Sequence, residues 1–463
     1  MNVKMQISHF LIIAALALAF IALMLMSCGT KTEKKRPESH VVHPLWSQDA
    51  VIYEVNVRQF TPEGTFKAFA EHLPRLKALG VDILWFMPIH PIGEKNRKGE
   101  LGSYYSVQDY TGVNAEFGDM QDFKDIVVKA HELGMFVILD WVANHTAWDH
   151  AWITDHPEWY TKDENGEMIA PFDWTDVAEL NYDNKDMRKA MIDALKFWIS
   201  EADIDGYRCD VAAEVPTDFW NDARAALDSL KPVFMLAESE EPEHHTYAFD
   251  MSYAWELHHL MNGIAKGEKS NKDLDAYFVK QDTLYPEDAY RMLFITNHDE
   301  NSWNGTVIER MGEGGEAFAV LTYTLPGMPM IYSGQEAGLD KRLRFFAKDT
   351  IPWGDYKYEE LYTKLGQLRK DNPALWSGKA GGEMKRIESS DEGIYAFKRK
   401  RDDNELLVIV NLSHEERSFT LKSNELKKEC LDYFSGKKLS LSKDKEITLD
   451  KWHYKVLLLH QNQ

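Results

Sequence analysis

Between residues 50 and 335 the chain alternates short apolar runs with stretches of helical period. The runs, rich in Val, Ile and Phe, are 51–57 (VIYEVNV), 82–88 (DILWFMP), 135–142 (MFVILDWV), 205–211 (DGYRCDV), 233–239 (VFMLAES), 247–252 (YAFDMS), 292–298 (MLFITNH) and 328–334 (MPMIYSG). Strands this short, spaced by amphipathic segments, predict βα units around a parallel sheet, and eight of them predict a closed barrel. Segments 65–80 (TFKAFAEHLPRLKALG) and 120–134 (MQDFKDIVVKAHELG) read as the helices between strands, each ending on a glycine suited to a helix C-terminus.

Two stretches break the rhythm. Residues 144–180, with Trp148, Trp152, Trp159 and Trp174, follow the third run without its period and read as a small subdomain inserted over one end of the barrel. From 378 to 463 the pattern turns to alternating strands with turn signals (GIYAFKRKR, ELLVIVNLS, EITLDKWHYKVLLLH), which predicts a separate C-terminal antiparallel β domain, read as a sandwich. The barrel is then assigned to 46–377.

The first 28 residues carry Lys4, an unbroken apolar run from Phe10 to Met26, and Ser27-Cys28-Gly29. That layout is an export signal rather than part of the fold. A cysteine directly after a small residue resembles the lipobox of bacterial lipoproteins, which implies a lipid on Cys28; an uncleaved membrane anchor is the alternative. Residues 29–45, polar and Pro-containing, read as a tether. After Cys28 only Cys209 and Cys430 remain, too few for a disulfide framework.

Charge narrows the ligands. With 53 basic and 75 acidic residues the formal charge is −22, so no basic surplus exists to bind nucleic acid through its phosphates. A neutral or cationic ligand fits better, and the abundant aromatic rings offer faces for sugars.

Functional groups of a βα barrel sit at the C-terminal ends of its strands. There the sequence places Asp140 (LDWVANH), Asp210 (DGYRCDV), Glu238 (LAES) and Asp299 (TNHDEN). Carboxylates converging on one pocket are too costly to be a packing device. Arg208 and Asp210, two apart on a strand, share a face, so the guanidinium is expected to hold Asp210 ionised as a nucleophile. Glu238, without an obvious cation beside it, is expected to keep a raised pKa and act as general acid. Such a pair describes a retaining glycosidase, with carboxyls about 5–5.5 Å apart. His145 and His298, each beside an Asn, are candidates to donate to sugar hydroxyls. No HExxH or Cys/His cluster supports a zinc site.

LDWVANH, DGYRCDVAAE, MLAES and FITNHD, in this order and spacing, resemble the four conserved regions of the α-amylase family, glycoside hydrolase family 13, and LGSYYSVQDY resembles the segment before them. The resemblance implies a (β/α)8 TIM barrel with a short inserted B domain after strand 3 and a C-terminal antiparallel β domain. It implies Asp210 as nucleophile, Glu238 as acid/base and Asp299 as transition-state stabiliser. It places Arg208, His145 and His298 around the sugar whose bond breaks, Tyr105 stacked on that sugar, and Asp140 as support near the nucleophile. The region around Asp210 is most similar to the neopullulanase and cyclomaltodextrinase branch, which has an acid where Glu214 stands, implying a substrate contact there. Two features depart from that branch. Folding that starts near Trp46 leaves no room for a preceding starch-binding domain, and Ser239-Glu240 follow Glu238 where Ile-Trp is common. Asn144 matches a position that binds structural calcium in many members. The chemistry itself requires no cofactor, and a structural calcium remains open.

The leading expectation is a retaining hydrolase of α-1,4-glucans or maltooligosaccharides, lipid-anchored at a bacterial envelope. A glucanotransferase shares the same glycosyl-enzyme intermediate, and a non-catalytic glycan-binding protein would be expected to have lost one of the three carboxylates. The basic tether (Lys31, Lys34, Lys35, Arg36) favours a periplasm-facing over a surface-displayed protein.

Overall fold

The computed structural model describes residues 36–422, 428–442 and 445–459. The apolar run, Cys28 and the first part of the tether lie outside them. Among the described residues no helix is long and apolar enough to cross a membrane.

Eight parallel strands close into a barrel: β1 (Ile52–Val55), β2 (Ile83–Phe86), β3 (Phe136–Trp141), β4 (Gly206–Cys209), β5 (Phe234–Ala237), β6 (Met251–Tyr253), β7 (Tyr290–Leu293) and β8 (Met328–Tyr332). Each pairs with its neighbours in chain order, and β1 closes on β8. Strand parity divides the residues into two cores. Ile52, Ile83, Trp85, Ile138, Phe234 and Leu236 fill the barrel, while Tyr53, Leu84, Phe86, Val137, Leu139, Tyr207 and Met235 pack outward under the helices. Glu54, Asp140 and Arg208 share the inward parity. They stand at the C-terminal end of the apolar filling and are fully buried.

Helix Met120–Glu132 shows why the helical segments form. Asp119 caps it by accepting from the Asp122 amide, Phe123, Ile126, Val127 and Ala130 make its buried stripe, and Gly134, at φ 69°, turns the chain back. Segment 65–80 is two helices rather than one, Phe66–Ala70 and Leu73–Ala78. Pro74 has no amide to give to the carbonyl of residue 70, so it starts a second helix instead of continuing the first.

Two strands differ from the sequence expectation. The sixth starts at Met251, not 247, because Pro242–His245 forms a 3-10 turn and the chain reaches the sheet later. The seventh ends at Leu293, 294–297 is irregular, and His298 and Asp299 stand on a helical turn beyond it rather than on a strand end. The tether also ends earlier than residue 45. His40 donates its amide to the Thr246 carbonyl, and His43 stacks on Tyr290 with Nδ1 2.8 Å from Asp250. These histidines look polar in sequence, yet they join the barrel through aromatic and carboxylate partners.

The excursion after β3 is held by His145–Ala147 pairing antiparallel with Val177–Glu179. Toward the C-terminus lies a six-stranded antiparallel sheet, in the order Glu383–Ile387, Ile394–Arg401, Asn404–Asn411, Tyr454–Leu458, Lys428–Asp432 and Lys438–Leu441. Its alternation is two-sided. Tyr395, Phe397, Leu406 and Val408 join the large core shared with the barrel, while Ile394, Ala396, Leu407 and Ile409 pack with Phe419 and Leu449 of a two-stranded ribbon, Arg417–Phe419 with Ile447–Leu449.

Candidate active site

The register of β3, β4 and β5 builds the centre of the site. Asp140 is the Cα partner of Arg208, and Arg208 is the partner of Leu236, two residues before Glu238. Gly206 permits this close approach at the start of β4: a Cβ there would lie 1.8 Å from the Phe234 carbonyl oxygen. The Arg208 side chain then rises among three carboxyls. Its Nη1 donates to Asp140 Oδ1 and Asp210 Oδ1, both at 2.8 Å, its Nη2 stands 3.0 Å from Glu238 Oε1, and its Nε donates to the Tyr253 hydroxyl at 3.2 Å.

Just beyond Asp210 the backbone is strained. Val211, a β-branched residue, sits at φ 36° and ψ 48°, a left-handed conformation that such side chains rarely take. The strained turn aims its amide at Glu238 Oε2, 2.8 Å away. Two residues of one strand end thus face both oxygens of the carboxyl on the next, Val211 through a hydrogen bond and Arg208 through its charge.

A second layer orients the first. Asp140 Oδ2 accepts from Trp85 Nε1 and from the Tyr105 hydroxyl, each at 3.1 Å. That hydroxyl is 2.7 Å from His298 Nε2, and the two rings stack with centroids 5.4 Å apart. His298 Nδ1 contacts Glu54, and its Nε2 lies 3.3 Å from Asp299 Oδ2. Asp210, Glu238, Asp299, Tyr105, His145 and His298 line one cleft of 620 Å³, with Trp174 and Trp303 among its other walls.

The electrostatics follow from crowding. Burial raises the Asp210 carboxyl well above the usual carboxylate range; Arg208 opposes this, while Glu238 and Asp140 add to it. Burial likewise raises Asp299 and Asp140, against His298 and Arg208 respectively. Burial alone would favour neutral His298, but Asp299 and Glu54 carry it up to about 9. Burial outweighs Asp176 at His145 and pushes it down to about 4, so it is neutral near pH 7.

The structure corrects the sequence reading of the central pair. Arg208 is not reserved for Asp210, and Glu238 does not lack a cation, because one guanidinium forks across both neighbouring strands. Counting residues along a single strand reveals the Arg208–Asp210 face but not the register that brings Glu238 to the same fork. The sequence reading expects Arg208 to hold Asp210 ionised, but burial with Glu238 and Asp140 alongside outweighs that one shared cation and raises the Asp210 carboxyl instead.

Glu214, on a 3-10 turn after β4, borders a hollow next to Glu238 that Phe172, Trp174, Val211 and Ala213 also line. Asn144 faces elsewhere: its amide donates to His145 Nδ1 at 3.3 Å, and it borders a separate hollow with Glu179, Asp183 and Glu214. Among the described residues no three His, Cys, Asp or Glu side chains converge as metal ligands.

Sequence reasoning missed Glu54, Trp85 and Tyr253 beneath the site and Phe172, Trp174, Trp303 and Phe345 around its rim. Glu54 carried a signal, an acid at inward parity in an otherwise apolar strand. The rim aromatics, in loops without a period, carried none.

A closed βα barrel with ionisable groups converging at the C-terminal ends of its strands is the form of an enzyme. The Alpha amylase, catalytic domain family profile matches residues 37–175 and 155–404, and the Alpha-amylase SusG C-terminal domain profile matches 394–453. The chain belongs to the α-amylase family and is a glycoside hydrolase of that family. Among curated relatives, "Alpha-amylase MalA" of Haloarcula japonica is 28% identical over 80% of this chain, and the chain spans 56% of that protein's length. "Neopullulanase 2" of Thermoactinomyces vulgaris is 26% identical, covering 86% of this chain and 75% of its own length. "Alpha-1,4-glucan:maltose-1-phosphate maltosyltransferase" of Picrophilus torridus is 26% identical, covering 75% and 59%. Among solved structures, the maltogenic alpha-amylase AmyB of Thermotoga neapolitana superposes with a TM-score of 0.82 at 29% identity, covering 89% of this chain and 99% of that one. An alpha-amylase from Lactobacillus plantarum gives 0.80 at 31%, covering 90% and 100%.

Proposed function

We propose that this chain is a retaining hydrolase that cleaves α-1,4-glucosidic bonds in starch-like glucans or maltooligosaccharides. The observation that supports this is the shared guanidinium: Arg208 reaches Asp210 at 2.8 Å and Glu238 at 3.0 Å, so both proposed carboxyls stand beside one cation in one cleft, as a retaining pair would. An Asp210 carboxylate oxygen attacks the anomeric carbon while Glu238 gives its proton to the departing glycosidic oxygen. Glu238, now ionised, takes a proton from water, whose oxygen replaces Asp210 at the same carbon and restores the starting configuration. Asp299 and protonated His298 line the same cleft as this pair, placed to stabilise charge and hold hydroxyls of the sugar being transferred. Tyr105, packed against both His298 and Phe345, supplies the aromatic wall.

A slow fluorinated α-glucosyl fluoride tests this reading. Mass spectrometry of the trapped enzyme should find the sugar on the peptide containing Asp210; a label on Glu238 or Asp299 would overturn the assignment.

One observation favours a transfer activity as second reading. Beyond Glu238, on the side where the leaving group must stand, Phe172 is 65% exposed and tilts against Trp174 with ring centroids 4.9 Å apart. Such a platform retains a sugar acceptor that competes with water. We further propose lipidation at Cys28 and a periplasm-facing position, supported by the signal and basic tether in the sequence. Release of the enzyme from intact cells by protease would overturn the position.

A further inference from the structure

The loop that follows β7 carries His298, Asp299 and Trp303, and none of these is on a strand. Immediately after Asp299 the chain makes a π-helical turn, Glu300–Asn304, a geometry that is rare and concentrated at functional sites. Glu300 points away from the cleft and is 7% exposed. Its Oε2 lies 3.0 Å from His258 Nε2 and 3.5 Å from Arg310 Nη1, and its Oε1 accepts from Asn304 at 2.9 Å. Arg310 also donates to the Ile295 carbonyl at 2.8 Å and the Gly305 carbonyl at 2.9 Å, so one guanidinium grips both ends of the loop. His258, on helix Trp255–Ala265, stacks on Phe294 and faces its carbonyl. The neighbouring Asn301 fixes the loop after β8, accepting from the Leu343 amide at 2.9 Å.

We propose that Glu300 is a positioning residue: anchored by His258 and Arg310, it fixes the loop so that Asp299 meets the transition state. The geometry matters because Asp299 is pushed into a site already crowded with carboxyls, and nothing on a rigid strand holds it there. Burial works against charge on Glu300, yet His258 and Arg310 bring its carboxyl down to about 2, so the anchor stays ionised through the working pH range. A misplacement of about 1 Å at a reacting group can cost about 100-fold in rate.

This inference rests on the hydrolase reading, and the test separates the two. Wild type, Glu300→Gln and Glu300→Ala are compared on maltoheptaose. Maltotriose affinity, acarbose affinity and melting temperature are measured alongside. The expected result is a kcat lowered about 10-fold in Glu300→Gln and about 100-fold in Glu300→Ala, with KM within about 3-fold. Acarbose, as the transition-state-like probe, should weaken in step with kcat/KM while maltotriose does not. If Glu300→Ala fails to fold, Glu300→Gln decides alone. Unchanged kcat in both variants overturns the proposal, as does loss of maltotriose affinity and stability in step with kcat, which marks a merely structural residue. Wild type inactive on every α-glucan overturns the hydrolase reading instead.

Discussion

Arg208 Nη2 stands 3.0 Å from Glu238 Oε1 while Nη1 of the same guanidinium holds Asp210 at 2.8 Å. A single buried cation therefore spans the proposed acid and the proposed nucleophile.

Replacing Asp210 separates chemistry from folding. Asp210→Asn is expected to lose turnover on maltoheptaose by about 1,000-fold or more. Its melting temperature should not fall, because the amide removes a buried charge that burial already disfavours. Turnover near wild type would remove Asp210 from the mechanism.

The acid role of Glu238 shows in the leaving group. Glu238→Gln should be severely slowed on maltoheptaose, whose departing oxygen needs a proton, and far less slowed in glycosylation by α-maltosyl fluoride, which needs none. Equal losses on both substrates, read by pre-steady-state fluoride release, would contradict the assignment.

Arg208 is fully buried, and removing it leaves carboxyls without their cation. Arg208→Met is expected to cost about 3–5 kcal/mol of unfolding free energy at pH 8. The deficit should shrink toward pH 5 as the stranded carboxyls take up protons. Denaturant titrations at the two pH values check both the size and the sign.

His298 gives a second pH signature. Its pKa is raised in the folded state to about 9 from an ordinary value near 6.5, so the folded state binds the proton more tightly. The resulting stability is present below about pH 6.5 and is lost as pH rises to about 9. Melting curves from pH 6 to pH 9.5 should therefore show wild type losing more stability than His298→Gln. Parallel curves would show that the histidine is not held protonated.

On the leaving-group side, Phe172 is exposed and has a φ of 53°, a left-handed conformation costly for an aromatic residue. Phe172→Ala should leave hydrolysis of maltoheptaose largely intact and reduce the fraction of longer transfer products at high substrate concentration. An unchanged product ratio would count against the platform.

Much of this site was legible in sequence because strand parity is a strict rule. Asp140, Arg208 and Glu238 follow inward-facing positions at strand ends, and the spacing Arg208-x-Asp210 alone implied a shared face. Glu54 obeys the same rule in the middle of the first apolar run, where a single acid among Val, Ile and Tyr is easily passed over. The loop residues were less legible. His298 and Asp299 were legible as polar residues at the end of an apolar run, yet that run reads as strand to residue 298, and only the structure ends it at Leu293. The anchor of that loop is built from Glu300, His258 and Arg310, which lie on separate elements and share no period. Register between strands and contacts between loops are three-dimensional facts, which is why the fork of Arg208 escaped a one-dimensional reading.

The most direct test of the central claim is an anomer-resolved NMR time course of maltoheptaose cleavage by the purified protein. Retaining chemistry through Asp210 requires the new reducing end to appear first as the α-anomer, with β arising only later by mutarotation. First appearance of the β-anomer would mean inversion by direct attack of water, and the account of Asp210 as nucleophile would fall.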